Sequence, residues 1–169
     1  MPRGVTIRPA VLADLPDLGR MGARLVALHH GWDRRRFFPV PDAEQGYRRY
    51  LGGHLDDPEV VILVAERGRP RRVCGYAYAS LEPMSFSDLR EACGKIHDLW
   101  VDDDARAGGT GGALLEETCR RLAALGVPRV VLMAASANPG AQALFARHRF
   151  RPTMVEMTRE CGARARRTR

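Results

Sequence analysis

A single lysine, Lys95, stands among 27 basic side chains, so the positive charge of this chain is almost wholly arginine. Long hydrophobic runs are missing. Nothing approaches the roughly 20 apolar residues of a membrane-spanning helix, and Met1-Pro2-Arg3-Gly4 lacks the apolar stretch of a signal peptide. The four cysteines (Cys74, Cys93, Cys119 and Cys161) are scattered, with no C-x-x-C pair. That spacing disfavours a zinc site or a disulfide framework and fits reduced thiols. His29 and His30 adjoin each other but have no carboxylate or cysteine at ligand spacing, so no metal is expected. These absences lead to the expectation of a cytoplasmic protein with no membrane segment.

The 169 residues are 45% hydrophobic and 28% charged, which suits one ordinary globular domain with a buried core. The net charge of +7 invites a nucleic-acid reading, but the arginines are spread along the chain rather than gathered in a stripe. The one basic cluster, residues 159–169, reads as a solvated, disordered tail, leaving a domain over 5–158 and no nucleic-acid partner. A basic surface would still draw in an anionic ligand such as a nucleotide.

Along the chain, Val5 to Arg8 is a strand candidate, followed by Asp14 as the cap of a helix with Pro16 in its first turn. Leu15, Leu18, Gly22, Leu25, Val26 and His29 fall on one face of that helix. His29 to Val40 reads as an aromatic, basic loop. Asp42 and Gln45 have the spacing of a capping box for a second helix carrying Tyr47, Tyr50 and Leu51. Val60 to Ala65 and Val73 to Ala79, joined by Arg67-Gly68-Arg69-Pro70, form a hairpin. Ile96 to Val101 is the next strand. A helix through Leu114, Leu115, Thr118, Leu122 and Leu125 stops at Gly126 and Pro128. Val130 to Ala134 is another strand, Asn138-Pro139 caps and opens a further helix, and Met154 to Met157 supplies a last strand. Hairpins first, then strand–helix–strand–helix, predict an α+β (α/β/α layered) fold: a mixed, mostly antiparallel sheet with helices on both faces.

Between the strand ending at Val101 and the helix lies Arg106-Ala107-Gly108-Gly109-Thr110-Gly111-Gly112. Such a junction aims backbone N–H groups and a helix N-terminus at one point, a phosphate cradle. A Walker A loop would need lysine and a hydroxyl after the last glycine, but Gly111 is followed by Gly112 and Ala113. A dinucleotide fingerprint counted from Gly109 meets Leu114 where glycine or alanine belongs. The pattern that fits is R-x-x-G-x-G: Arg106, Gly109 and Gly111, placed five residues after Val101.

With that motif the chain resembles the GNAT superfamily of acetyl-CoA-dependent N-acetyltransferases. Asn138, Ala141, Leu144, Phe145 and Phe150 match the family's later signature, N-x-x-A-x-x-L-Y-x-x-x-G-F, with two substitutions. Ile7-Arg8-Pro9-Ala10 before Asp14 resembles its opening, and Val73-Cys74-Gly75-Tyr76 its third strand. The resemblance implies a site for acetyl-CoA. The backbone of Leu99, Trp100 and Val101 would pair with the pantetheine arm where the sheet splays. The amides from Arg106 through Ala107, Gly108, Gly109, Thr110 and Gly111 to Gly112 would hold the pyrophosphate, with Thr110 adding a hydroxyl. Asn138 would touch the cofactor as well as capping its helix, and Phe145 would pack against it.

An amine attacks the thioester carbonyl once it has lost a proton, so a base is useful. His97 coincides with a water-linked base of arylalkylamine acetyltransferases. His97 and Asp98 together occupy the positions of an acidic pair in polyamine acetyltransferases. Histone-acetylating relatives have a glutamate base where this chain has Lys95, and ribosomal-protein N-terminal acetyltransferases one where it has Met133. His97 is therefore the candidate base and Asp98 the candidate attractor of a cationic amine. Each also has a structural role open to it, His97 packing or bonding internally and Asp98 as a buried, hydrogen-bonded acid. Strand alternation puts the two on opposite faces. Phe145 replaces the tyrosine that protonates the leaving sulfur, and Arg149 replaces a glycine after the last helix, at a cost of about 1 kcal/mol if left-handed.

Trp32, Phe38 and Glu82 are the leading candidates to meet the acceptor, with Tyr47, Tyr50, Met84 and Phe86 behind them. Core or dimer contacts are the alternative for Trp32 and Phe38, and a homodimer stays open. The resulting expectation is acetyl transfer from acetyl-CoA to a primary amine, of a small molecule rather than a protein, in a ternary complex. A non-catalytic acyl-CoA-binding sensor is the alternative.

Overall fold

The apolar run Val60 to Ala65 lies in the second strand of a five-stranded sheet in the computed structural model of the chain, which describes residues 4–106 and 108–161. Ala107 of the glycine loop and the tail from 162 onward lie outside the described residues. In chain order the elements are β1 (Val5–Pro9), α1 (Leu15–Trp32), α2 (Ala43–Gly52), β2 (Val60–Arg67), β3 (Arg72–Glu82), β4 (Cys93–Val101), α3 (Thr110–Ala124), β5 (Val130–Leu132) and α4 (Pro139–Arg147). The sheet order is β1-β2-β3-β4-β5, with β1 to β4 antiparallel and β5 parallel to β4 through α3. This is the mixed, mostly antiparallel α+β arrangement expected.

β2 is apolar at successive positions because both faces are covered. Ile62 and Val64 pack with Leu18 and Met21 of α1 and Leu51 of α2, beside Tyr76, Tyr78 and Trp100. Val61, Leu63 and Ala65 face the other way, into a core with Leu114, Leu115 and Leu122 of α3 and Phe145 of α4. The Asn138 cap forms as expected, its Oδ1 accepting from the Ala141 amide at 3.0 Å. Arg149 after α4 is left-handed, with φ of 66°.

Four local expectations are corrected. Asp14 does not cap α1 with its side chain. Its carboxylate is held by the Arg8 guanidinium at 2.6 and 2.8 Å and by the Val11 amide at 2.8 Å, and a 3-10 turn leads into the helix. Asp42 is left-handed, with φ of 48°, and makes no side-chain cap bond, so the capping box does not form. α1 continues through His29 to Trp32, shortening the loop read there. Met154 to Met157 is not a strand, because Arg36 and Arg35 draw Glu156 and Glu160 toward the loop after α1 instead of toward a sheet edge.

The end of β4 is tied to α1 by Asp102, which is only 3% exposed. It accepts from Trp100 Nε1 at 3.1 Å, from both Arg20 Nη atoms at 3.2 Å and from Arg24 at 3.1 Å. Burial pushes its pKa up, but the hydrogen bonds from Arg20 and Trp100 and the charges of Arg20 and Arg24 outweigh burial and hold it below 3.8. Asp102→Ala is expected to cost about 1–3 kcal/mol, toward the low end because the arginines are partly solvated. A pKa depressed by folding contributes stability above the unfolded value and loses it as pH falls through the folded one. Chemical denaturation should therefore show the gap between wild type and variant closing as pH drops below about 3.8.

Candidate active site

β5 pairs with β4 only from Gly94↔Val130 to Ile96↔Leu132. β4 runs on to Val101, so from His97 onward that edge has left its neighbour and a cleft of about 300 Å³ opens between the two strands. Its walls include His97, Asp98 and Leu99 from β4, Leu132 to Ala135 from β5 and the turn after it, and Asn138, Ala141 and Phe145 from α4 and its cap. α1, the loop after it and α2 close the other side through His29, Phe38 and Tyr47.

The pairing of β3 with β4 shifts at the same place. Tyr78 faces Asp98 and Ala79 faces Ile96, leaving His97 as an extra residue in a β-bulge. The expectation that alternation separates His97 from Asp98 is thereby overturned: both turn to the α1–α2 side and both line the cleft. His97 stacks on Tyr78 with ring centres 4.8 Å apart at 23°. Its Nε2 lies 2.8 Å from Ser80 Oγ and 3.5 Å from the Glu82 carboxylate. Burial, then the Lys95 charge, lowers its pKa below 6.5 against the pull of Glu82, so the ring is neutral at pH 7.

Asp98 accepts from the Tyr76 hydroxyl at 3.0 Å. Burial raises its pKa above 3.8, opposed by hydrogen bonds from Tyr76 and Tyr47 and by His29. His29 itself has Nδ1 2.9 Å from the Leu25 carbonyl. A carbonyl only accepts, so Nδ1 carries a proton. Sequence reasoning missed Tyr76, Ser80 and His29 as members of this site. The legible signal was the i, i+2 series Tyr76, Tyr78, Ser80, Glu82, which places four polar side chains on one face of β3.

In the glycine loop, Arg106 reaches back so that Nε donates to the Val101 carbonyl at 3.0 Å while its guanidinium lies 5.2 Å from the Trp100 ring centre. Gly109, with φ of 82°, turns the chain into α3. A β-carbon would strain that conformation. The first-turn amides of α3 have no carbonyl of their own helix to bond. Thr110 is buried. The Trp100 ring is turned into the α1–α2 core and Val101 into the core beneath α3. Gly108 and Gly111 leave ordinary van der Waals room for a β-carbon, whereas one on Gly112 would lie 2.7 Å from His148 Nε2.

Of the acceptor candidates, Phe38 lines the cleft and is 75% exposed. Trp32 is set back, edge-on to His29 at 5.1 Å. Glu82 stands beside His97 rather than in the cleft wall. Met84 and Phe86 project into solvent, and the Tyr50 hydroxyl bonds that of Tyr78 at 2.9 Å.

A model of the Acetyltransferase (GNAT) family matches residues 26–150. A mycothiol acetyltransferase from Clavibacter michiganensis subsp. michiganensis is 28% identical over 163 residues, covering 93% of this chain and 46% of that protein, so the chain spans about half of its relative's length. Among solved structures, BH1408 from Bacillus halodurans superposes with a TM-score of 0.78 at 19% identity, over 92% of this chain and 99% of its own. A predicted acetyltransferase from Clostridium acetobutylicum, solved with acetyl-CoA, gives 0.69 at 16% identity over 91% and 96%.

Tyr47 reaches Asp98 only because Gly22 of α1 has no side chain: a β-carbon there would lie 2.2 Å from Tyr47 Cδ1. Gly22→Ala is expected to cost about 1–3 kcal/mol through overpacking. Gly31→Ala, where nothing lies within 4 Å, is the matched control and should leave the melting temperature level or slightly higher.

Proposed function

The chain belongs to the GNAT acetyltransferase family, acyltransferases that use acetyl-CoA, and on that premise we propose that it acetylates the primary amine of a small molecule by direct attack, with His97 as the proton acceptor. The observation that carries this reading is the coincidence of bulge and splay. The strand that parts from β5 to make the cleft turns a neutral imidazole and a carboxylate into it together.

The residues present fit acetyl-CoA as a substrate. The glycine loop from Arg106 to Gly112 and the N-terminus of α3 would meet the pyrophosphate with amides and a positive dipole end. Leu99 to Val101 would offer backbone to the amide-rich arm, and Asn138 and Phe145 would line its path. Asp98, with Tyr47 and Tyr76 on it, would hold a cationic amine. A cleft of about 300 Å³ suits a small acceptor, and the mycothiol acetyltransferase relative supports a small molecule over a protein.

An alkylammonium of pKa about 10.4 gives up one proton to water before attack. The second leaves the same nitrogen as the new C–N bond forms, and neutral His97 takes it. The C–S bond then breaks. Phe145 has no proton to give, so the departing sulfur, a thiolate of a thiol with pKa about 8.5, takes the one that His97 holds. Phe145 is also the observation that favours the second reading, a non-catalytic acyl-CoA binder.

Release of CoA thiol across a panel of small amines separates the two. Thiol should appear with at least one amine, and His97→Gln should lower kcat by about a hundredfold or more while the KM for acetyl-CoA stays put. Because His97 works as the neutral ring, activity should be full above its pKa and decline as pH falls through a value below 6.5. Tight acetyl-CoA binding with no thiol above background for any amine would leave the binder.

A further inference from the structure

The imidazole of His97 is backed by β3, where alternation sets Tyr78, Ser80 and Glu82 on the face to which the bulge has turned it. Ser80 Oγ lies 2.8 Å from Nε2, and the Glu82 carboxylate lies 3.4 Å from that hydroxyl and 3.5 Å from Nε2. A carboxylate only accepts, and serine has one proton to give. That proton is satisfied on Glu82, which leaves the Ser80 lone pair to accept from Nε2–H. Among the described residues Nδ1 has no hydrogen-bond partner. We infer that Ser80 and Glu82 are positioning residues that fix His97 in the Nε2-protonated tautomer and so make Nδ1 its basic nitrogen.

This deepens the reading of His97 as proton acceptor and rests on it. It also moves Glu82 from the acceptor pocket to the back of the imidazole. When the attacking nitrogen gives its proton to Nδ1, the ring becomes an imidazolium with Glu82 beside it to stabilise the charge. When the C–S bond breaks, the proton goes from Nδ1 to sulfur and the ring returns to its starting tautomer, with no flip needed before the next turnover. The charged groups at the imidazole are Glu82 on β3, which favours the imidazolium, and Lys95 on β4, which opposes it. His29 of α1 and Asp98 share the cleft, while Tyr50 and His54 pack on Tyr78.

The test is the ring-nitrogen NMR of the full chain labelled with 15N, with His97 assigned by its loss in His97→Gln. Wild type and Ser80→Thr, which keeps the hydroxyl, should show neutral His97 protonated on Nε2. Ser80→Ala and Glu82→Gln should show a tautomer mixture, and Glu82→Gln a lower imidazole pKa. In turnover, Glu82→Gln should move the acid limb of kcat to lower pH and reduce kcat roughly tenfold, a fraction of what the base itself supplies, at unchanged KM for acetyl-CoA. A wild-type ring protonated on Nδ1, or a tautomer unaffected by both variants, overturns the assignment. Full activity in His97→Gln would instead sink the reading of His97 as proton acceptor, and the spectra of the Ser80 and Glu82 variants would still decide whether those residues set the ring.

Discussion

The site depends on one register shift. β4 carries one residue more than β3 can pair between Asp98 and Ile96, and that residue is His97. Without the bulge, strict alternation would send either His97 or Asp98 into the apolar core beneath α3, where a charge would have no partner. With it, both polar groups face α1 and α2, and the strand bends at the residue after its last pairing with β5. One inserted residue therefore opens the cleft and furnishes it.

A bent strand with one edge unpaired must be pinned beyond the bend. Asp102 provides that anchor. It gathers the Trp100 indole and the guanidiniums of Arg20 and Arg24 at the point where β4 gives way to the glycine loop. Arg106 adds a second tie, from the loop back to the Val101 carbonyl and across the Trp100 face. The pieces that would grip the two ends of acetyl-CoA are thus held to one rigid strand, and α1, which contributes His29 and Gly22 to the cleft side, is held to the same strand end.

What the sequence made legible was what neighbouring residues decide among themselves. Asn138-Pro139 caps its helix because the bond spans three residues, and β2 reads as a strand because burial on both faces leaves it apolar from Val60 to Ala65. Distant partners defeated the rest. Asp14 looks like a cap until Arg8 claims its carboxylate, and Met154 to Met157 reads as a last strand until Arg36 takes Glu156 elsewhere. The bulge was invisible for the same reason: it is a relation between two strands with no mark in either. The series Tyr76, Tyr78, Ser80, Glu82 was readable, but its meaning depends on which way His97 points.

The cleft brings together an acid whose pKa burial raises and a base whose pKa burial lowers, so burial shifts each toward its uncharged form. On the proposed reading, an arriving ammonium would change the two in a useful sense. Its charge would stabilise the Asp98 carboxylate, tightening the grip on the amine, and would disfavour a proton on His97, keeping the ring a base until the amine has shed its first proton. As that charge leaves, the penalty on the imidazolium would leave with it, and His97 would become able to take the second proton at the stage when attack releases it. The same charge that would identify an amine to Asp98 would thereby set the order in which the protons move.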